Sequence, residues 1–226
     1  MVLRIGHRGA MGYAPENTLL SFRKTLELRC DMIEFDVRLC RSGELIVFHD
    51  DTLERTTNGA GQVSEQTLEF LRTLDAGCGE KIPLFQEALE VIAGKARVDV
   101  ELKGPGTALQ TASLIDRFLT QGGWSRGHFL VSSFDCQELS AFRRLDPYTP
   151  VGILCENIPV GFFGMARSLG AYSLNISYNG VTPELVDHIH REGMKVLVWT
   201  VDSPDGIARA KGMGVDGIIS NFPDRV

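Results

Sequence analysis

No apolar run in the 226-residue chain approaches the roughly 20 residues needed to cross a bilayer, and the opening MVLRIGHRGA lacks the apolar core of a secretory leader. A soluble, cytoplasmic protein without stable membrane association is the expectation. Positive charge is also short: 23 Lys and Arg stand against 29 Asp and Glu, for a formal net charge of −6. That balance removes the basic footprint of a protein that grips phosphate backbones, which argues against nucleic acid as a partner. Cysteine is sparse and unpatterned. Cys30, Cys40, Cys78, Cys136 and Cys155 are odd in number and form no C-x-x-C pair, so neither a disulfide framework nor a zinc knuckle is suggested. They read as reduced, mostly buried small hydrophobes.

What is present is 43% hydrophobic residues, enough for a substantial core, in a length that suits one domain over residues 1–226. Short β-branched runs alternate with helical patterns, the signature of βα units and a parallel sheet. The runs at 3–7, 32–37, 97–102, 129–132, 151–154, 173–176, 195–200 and 217–220 predict eight strands. Helix punctuation is clear in places: Thr182, Pro183 and Glu184 supply a cap, an N1 proline and an acidic first turn, and Gly193 a stop. Eight such units point to an α/β fold of the closed (β/α)8 or TIM-barrel kind, with a doubly wound open sheet as the alternative.

One segment breaks the alternation. Residues 44–49 are strand-like, yet only Cys40-Arg41-Ser42-Gly43 separates them from the second strand, too few for a parallel crossover. An antiparallel hairpin is therefore predicted, carrying His49 back towards the end of strand two. Residues 50–81, rich in Thr, Gly and charge, are too long for a plain loop and read as a small insertion after the second strand that caps one side of the site.

Glu34 and Asp36 lie two apart in Ile33-Glu34-Phe35-Asp36-Val37, so a strand turns both acids to one face and the apolar residues to the other. Val98-Asp99-Val100-Glu101-Leu102-Lys103 repeats the pattern, so acids from the two strands are expected to face each other across the barrel mouth. Crowded buried carboxylates repel unless a cation or hydrogen bonds offset them. Oxygen-only ligation favours Mg2+, Ca2+ or Mn2+; the alternative is that the acids are solvated or paired with Arg38 and Lys103. His7 and Arg8 end the first strand, and His49 and Asp50 the hairpin arm, at the rim where barrels carry their chemistry. Two imidazoles there suit base and acid roles at a phosphorus centre, and Arg8 and Lys103 suit a phosphodiester anion. His128, His188 and His190 read as surface or packing residues. Trp199 fits either a core filler or a substrate wall.

His7-Arg8-Gly9, Pro15-Glu16-Asn17-Thr18, Glu34-x-Asp36 and His49-Asp50-x-x-Leu53-x-Arg55-Thr56-Thr57-Asn58-Gly59 occur in this order. With Glu101-Leu102-Lys103, Ser132-Ser133-Phe134, Trp199-Thr200-Val201 and Gly214-Val215-Asp216-Gly217, they resemble the glycerophosphodiester phosphodiesterase family over effectively the whole chain. The resemblance implies a barrel with an insertion after strand two and one divalent cation (Mg2+, Ca2+ or Mn2+) held by Glu34, Asp36 and Glu101. It implies His7 as general base, His49 as general acid, Arg8 and Lys103 on the phosphate, and Phe134 and Trp199 along the glycerol side. The implied reaction is hydrolysis of glycerophosphodiesters such as glycerophosphocholine or glycerophosphoethanolamine to sn-glycerol 3-phosphate and an alcohol. The chain departs from the family's usual pattern at Leu84-Phe85-Gln86, at Asp202, where Asn is frequent, and at Asn221, where Asp is frequent.

Three rivals are weighed against it. A lysophospholipase D would use the same residues but should carry an apolar entrance or a membrane-binding helix, and the charged insertion shows no strong apolar face. A non-catalytic phosphodiester sensor would have lost an acid, base or ligand, and a sugar-phosphate isomerase needs no carboxylate cluster at strand two. A homodimer stays open beside a monomer.

Overall fold

The period-two patterns do form strands, and their apolar faces turn outward onto helices. In the computed structural model, which describes residues 1–158 and 161–226, strands β1 (Leu3–Gly6), β2 (Met32–Leu39), β3 (Leu45–Val47), β4 (Arg97–Leu102), β5 (Phe129–Ser133), β6 (Val151–Cys155), β7 (Ser173–Ser177), β8 (Lys195–Trp199) and β9 (Gly217–Ser220) make one sheet. All but β3 are parallel neighbours, and β1 pairs with both β2 and β9, which closes an eight-stranded barrel. The open-sheet alternative is excluded by that closure. No described helix is long and apolar enough to cross a membrane.

The main helices, α1 (Leu19–Glu27), α3 (Phe85–Ile92), α4 (Thr107–Gln121), α5 (Cys136–Leu145), α6 (Phe162–Leu169), α7 (Pro183–Arg191) and α8 (Pro204–Gly212), follow the strands in turn. The short α2 (Leu68–Leu71) belongs to the insertion. Helix starts follow local chemistry. Thr182 caps α7 by accepting from Leu185 N, with Pro183 in the first turn, and Thr18 and Ser21 bond reciprocally at the start of α1.

The hydrophobic residues divide into three groups. The largest lies between barrel and helices and includes Ile33, Phe35, Val37, Val98 and Val100. A second, Ile5, Met32, Leu130, Leu197 and Ile219, plugs the barrel interior. Above that plug the inward positions turn polar, which is where Glu34, Asp36, Asp99 and Glu101 sit. One expectation needs correcting: these acids do not oppose one another across the mouth. β2 and β4 are hydrogen-bonded neighbours, with Glu34 beside Asp99 and Asp36 beside Glu101, so the crowding is lateral and closer.

The hairpin is present, with Val37 opposite Val47, Arg38 opposite Ile46 and Leu39 opposite Leu45 in antiparallel register. The alternation along β3 explains its place. Leu45 and Val47 join the barrel cluster, while Ile46 and Phe48 join a third group with Leu53, Val63, Leu71, Leu74 and Ile82. That group gives the insertion a small core of its own, and Ile46 bridges to Leu84 at its far end.

Phe35 is fully buried between Phe22 and Phe85, with ring centroids 5.3 and 5.7 Å away. Replacing it by alanine should cost about 3–5 kcal/mol, the usual range for opening a cavity at a buried aromatic. Urea unfolding should show a lower midpoint at an unchanged slope.

Candidate active site

The turn after β1 sets the first half of the site. Arg8 and Gly9 both take left-handed backbone angles, φ 49° and 80°, and a Cβ at Gly9 would lie 2.3 Å from Ser21 Oγ. Only glycine fits there. The reversal swings Arg8 N onto Glu34 Oε2 at 2.8 Å and turns its guanidinium towards Asp36 and Glu16. The Pro15–Thr18 segment completes it, since Asn17 donates from Nδ2 to Asp36 Oδ2 at 2.8 Å.

Glu34, Asp36 and Glu101 are all buried, and ligand oxygens from the three lie within 4.8 Å of one another. Lys103 Nζ stands 2.6 Å from Glu101 Oε1 and 3.6 Å from Asp36 Oδ1, the latter a buried oxygen that accepts no hydrogen bond. An orphaned carboxylate oxygen inside an all-oxygen nest fits a hard divalent cation. Pairing of the acids with Arg38 does not occur. That side chain donates to His49 O at 2.8 Å and pairs with Asp51 at 2.6 Å.

The carboxyls differ in proton affinity. Burial, Asp36 and Glu101 raise Glu34 well above its ordinary value. Burial and then Asp36 raise Glu101 from 4.5 to about 8. Burial pushes Asp36 up too, but Lys103, Arg8 and His49 together hold it below 3.8. Beside Glu34, burial raises Asp99 to about 7 against bonds from Ser132 Oγ at 2.7 Å and Asn175 Nδ2 at 3.0 Å.

Each rim histidine has a fixed partner. His7 Nδ1 lies 2.7 Å from Asn221 Oδ1. Asn221 Nδ2 donates to Asp202 at 2.7 Å, so its amide can only present oxygen to His7, and His7 carries its proton on Nδ1. His49 Nδ1 lies 2.6 Å from Asp50 Oδ1, which likewise requires a proton on Nδ1. In both rings Nε2 is left for the cleft.

Eight of the nine residues singled out from sequence line one cleft of about 490 Å³, its open mouth included: His7, Arg8, Glu34, His49, Glu101, Lys103, Phe134 and Trp199. Asp36, the ninth, is fully buried against Asn17, Arg8 and Lys103 and does not itself line the cleft. Phe134 and Trp199 meet edge to face, centroids 5.7 Å apart, with Lys103 Nζ 5.7 Å above the Phe134 ring. Trp199 Nε1 also donates to Asn175 O at 2.9 Å, so it both seals the barrel and walls the cleft. His188 packs on Phe163 and His190 pairs with Asp216, away from the cleft. Sequence reading gave no role to Asn17, Asn221 and Asp202. Asn17 lay inside a recognised motif, but its partner is 19 residues away and Asn221's is 214 away, so spacing carried no signal.

Barrels of this kind do their chemistry at the C-terminal mouth, and a mouth that sets fixed cations over a carboxylate nest suits an enzyme that hydrolyses phosphate esters. The chain belongs to the glycerophosphoryl diester phosphodiesterase family, whose model matches residues 7–225. It is 36% identical to the glycerophosphodiester phosphodiesterase of Caldanaerobacter subterraneus, over 98% of this chain and 95% of that protein. It is 34% identical to the glycerophosphodiester phosphodiesterase of Bacillus altitudinis, over 97% and 94%. An Oleispira antarctica phosphodiesterase, solved with its product sn-glycerol-3-phosphate, superposes with a TM-score of 0.91 at 32% identity, covering 98% of this chain and 93% of that one. The chain is thus a glycerophosphodiester phosphodiesterase by family and enzyme class.

Between the unfolded value near 4.5 and the folded value of about 8, the folded chain holds more protons on Glu101 than the unfolded chain does. Stability should therefore fall as pH rises through that window when chelator is present. Melting temperature measured in EDTA from pH 5 to 8 should drop more steeply for the native protein than for Glu101→Gln. Added Mn2+ or Mg2+ should raise it most at pH 8, where the ligands are easiest to strip of protons.

Proposed function

We propose that the chain hydrolyses small glycerophosphodiesters, glycerophosphocholine and glycerophosphoethanolamine among them, to sn-glycerol 3-phosphate and the free alcohol in the cytoplasm. His7 acts as base, His49 as acid, and one divalent cation, Mg2+, Ca2+ or Mn2+, is held by Glu34, Asp36 and Glu101. The observation that carries this reading is the nest of three buried carboxylates, within 4.8 Å of one another, in a cleft lined by both tautomer-fixed imidazoles.

The two imidazoles are inequivalent in a way that supports their roles. Burial and then Arg8 lower His7 to about 4, against a neutral amide partner, so its Nε2 is unprotonated at working pH and ready to take a proton. Burial also lowers His49, but Asp36 and the carboxylate of Asp50 oppose that shift. A carboxylate behind the ring favours the protonated form, as a group that must give a proton requires.

Arg8 and Lys103 bring positive charge to the phosphodiester, the first through a planar fork and the second as a point charge beside Phe134. When bound to the three carboxylates, a divalent cation supplies Lewis-acid polarisation of a phosphoryl oxygen and balances the nest's charge. The apolar faces of Phe134 and Trp199 suit the glycerol backbone. The cleft is otherwise lined mainly by ionisable and polar side chains, which favours a small headgroup diester over a lipid-tailed one. Turnover of glycerophosphocholine should accordingly exceed that of lysophosphatidylcholine.

Replacing His49 by glutamine should lower kcat on glycerophosphocholine by roughly 10²- to 10⁴-fold, the span general acids contribute, and leave a nitrophenyl diester largely unaffected because its leaving group needs no proton. Equal losses on both would remove the acid role. Dialysis against EDTA should abolish turnover and Glu34→Gln should raise the cation concentration needed to restore it; activity that persists under chelation would overturn the cation assignment.

A further inference from the structure

The acid-bearing side of the cleft is held by a side chain that does not line the cleft. Arg55, in the insertion, makes four hydrogen bonds to two carboxylates: Nε to Asp50 Oδ2 at 2.6 Å, Nη2 to Asp50 Oδ1 at 2.9 Å, Nη1 to Glu16 Oε2 at 2.7 Å and Nη2 to Glu16 Oε1 at 2.8 Å. Beyond them, Asp50 Oδ1 meets His49 Nδ1 at 2.6 Å, and Glu16 Oε1 accepts from Arg8 Nη1 at 2.7 Å. The result is an unbroken run, His49–Asp50–Arg55–Glu16–Arg8, from one flank of the cleft to the other.

Asp50 cannot hold His49 unaided, because a carboxylate on a rim loop can rotate to water. The guanidinium fork engages both of its oxygens and fixes the plane in which Oδ1 meets the imidazole. Glu16 fixes the fork in turn, with only 10% of its side chain exposed and its other partner inside the cleft. We propose that Arg55 is a positioning residue of the reaction: it clamps Asp50 so that His49 Nδ1–H stays on Oδ1 and Nε2, which carries the donated proton when the ring is doubly protonated, points at the leaving oxygen. Lysine cannot substitute, since a point charge does not span two carboxylates in one plane.

The kinetic part rests on His49 being the acid, whereas the tautomer part does not. The test uses the whole protein, 15N-labelled at histidine, as wild type and as Arg55→Gln, Arg55→Lys and His49→Gln. In the native chain, 15N–1H correlation spectra at neutral pH should show His49 as the Nδ1–H tautomer. Arg55→Gln should give an averaged tautomer at His49 while His7, held by Asn221, keeps its spectrum. The same variant should lose roughly 10- to 100-fold in kcat on glycerophosphocholine, part of what a well-placed general acid supplies, but little on a nitrophenyl diester, and Arg55→Lys should not rescue it.

An unchanged His49 spectrum in Arg55→Gln overturns the proposal, as does an equal loss on both substrates with His7 disturbed as well, which would mark a merely loosened insertion. If His49→Gln itself shows no dependence on the leaving group, the acid assignment fails, and the clamp is then judged on the His49 spectrum alone.

Discussion

Four acidic side chains placed inside a closed barrel are the constraint around which the rest of this molecule is arranged. Glu34 and Asp36 on one strand stand beside Asp99 and Glu101 on the next, all nearly out of contact with water. Such groups repel and resist ionisation unless something answers their charge. The chain answers in two ways. Asp99, beside Glu34, is met by Ser132 and Asn175, while Asp36 is met by Asn17, Arg8 and Lys103. The remaining deficit is concentrated where Glu34 and Glu101 converge on Asp36, the place proposed above for a dication.

The fold serves this arrangement by separating two kinds of packing. Outward side chains of the strands build an apolar shell against the helices, and inward ones build a plug at the base and a polar tier above it. Because a strand alternates strictly, the same stretch of β2 supplies Ile33, Phe35 and Val37 to the shell and Glu34 and Asp36 to the tier. Frame and chemistry are thus written in one octapeptide, and its apolar half locks the height at which the acids emerge.

Much of this was legible from residues alone, and the boundary of legibility has a physical cause. Strand alternation placed Glu34, Asp36 and Glu101 on the inner face, and the shortness of Cys40–Gly43 was enough to require the hairpin that returns His49 to the mouth. Periodicity is local, and it reads local facts well. It says nothing of which strands pair; that is a matter of topology, and in a (β/α)8 barrel consecutive strands lie side by side, as β2 and β4 do. Nor could it pair Asn221 with His7 or Glu16 with Arg55, contacts between segments whose separation carries no pattern. Arg38 shows the converse: strand alternation puts it on the same face as Glu34 and Asp36, yet its long side chain reaches instead for His49 O and Asp51.

The insertion between the hairpin and α3 carries its own apolar nucleus, Leu53, Val63, Leu71, Leu74 and Ile82 gathered under Ile46 and Phe48, distinct from the shell around the barrel. A segment that buries its own hydrophobic residues can be repacked, lengthened or recoloured on its surface without unsettling the eight strands beneath it. The rim's outer face can then vary while the few groups that reach down to the frame, Asp50 and Arg55 above all, keep their bonds to His49 and Glu16.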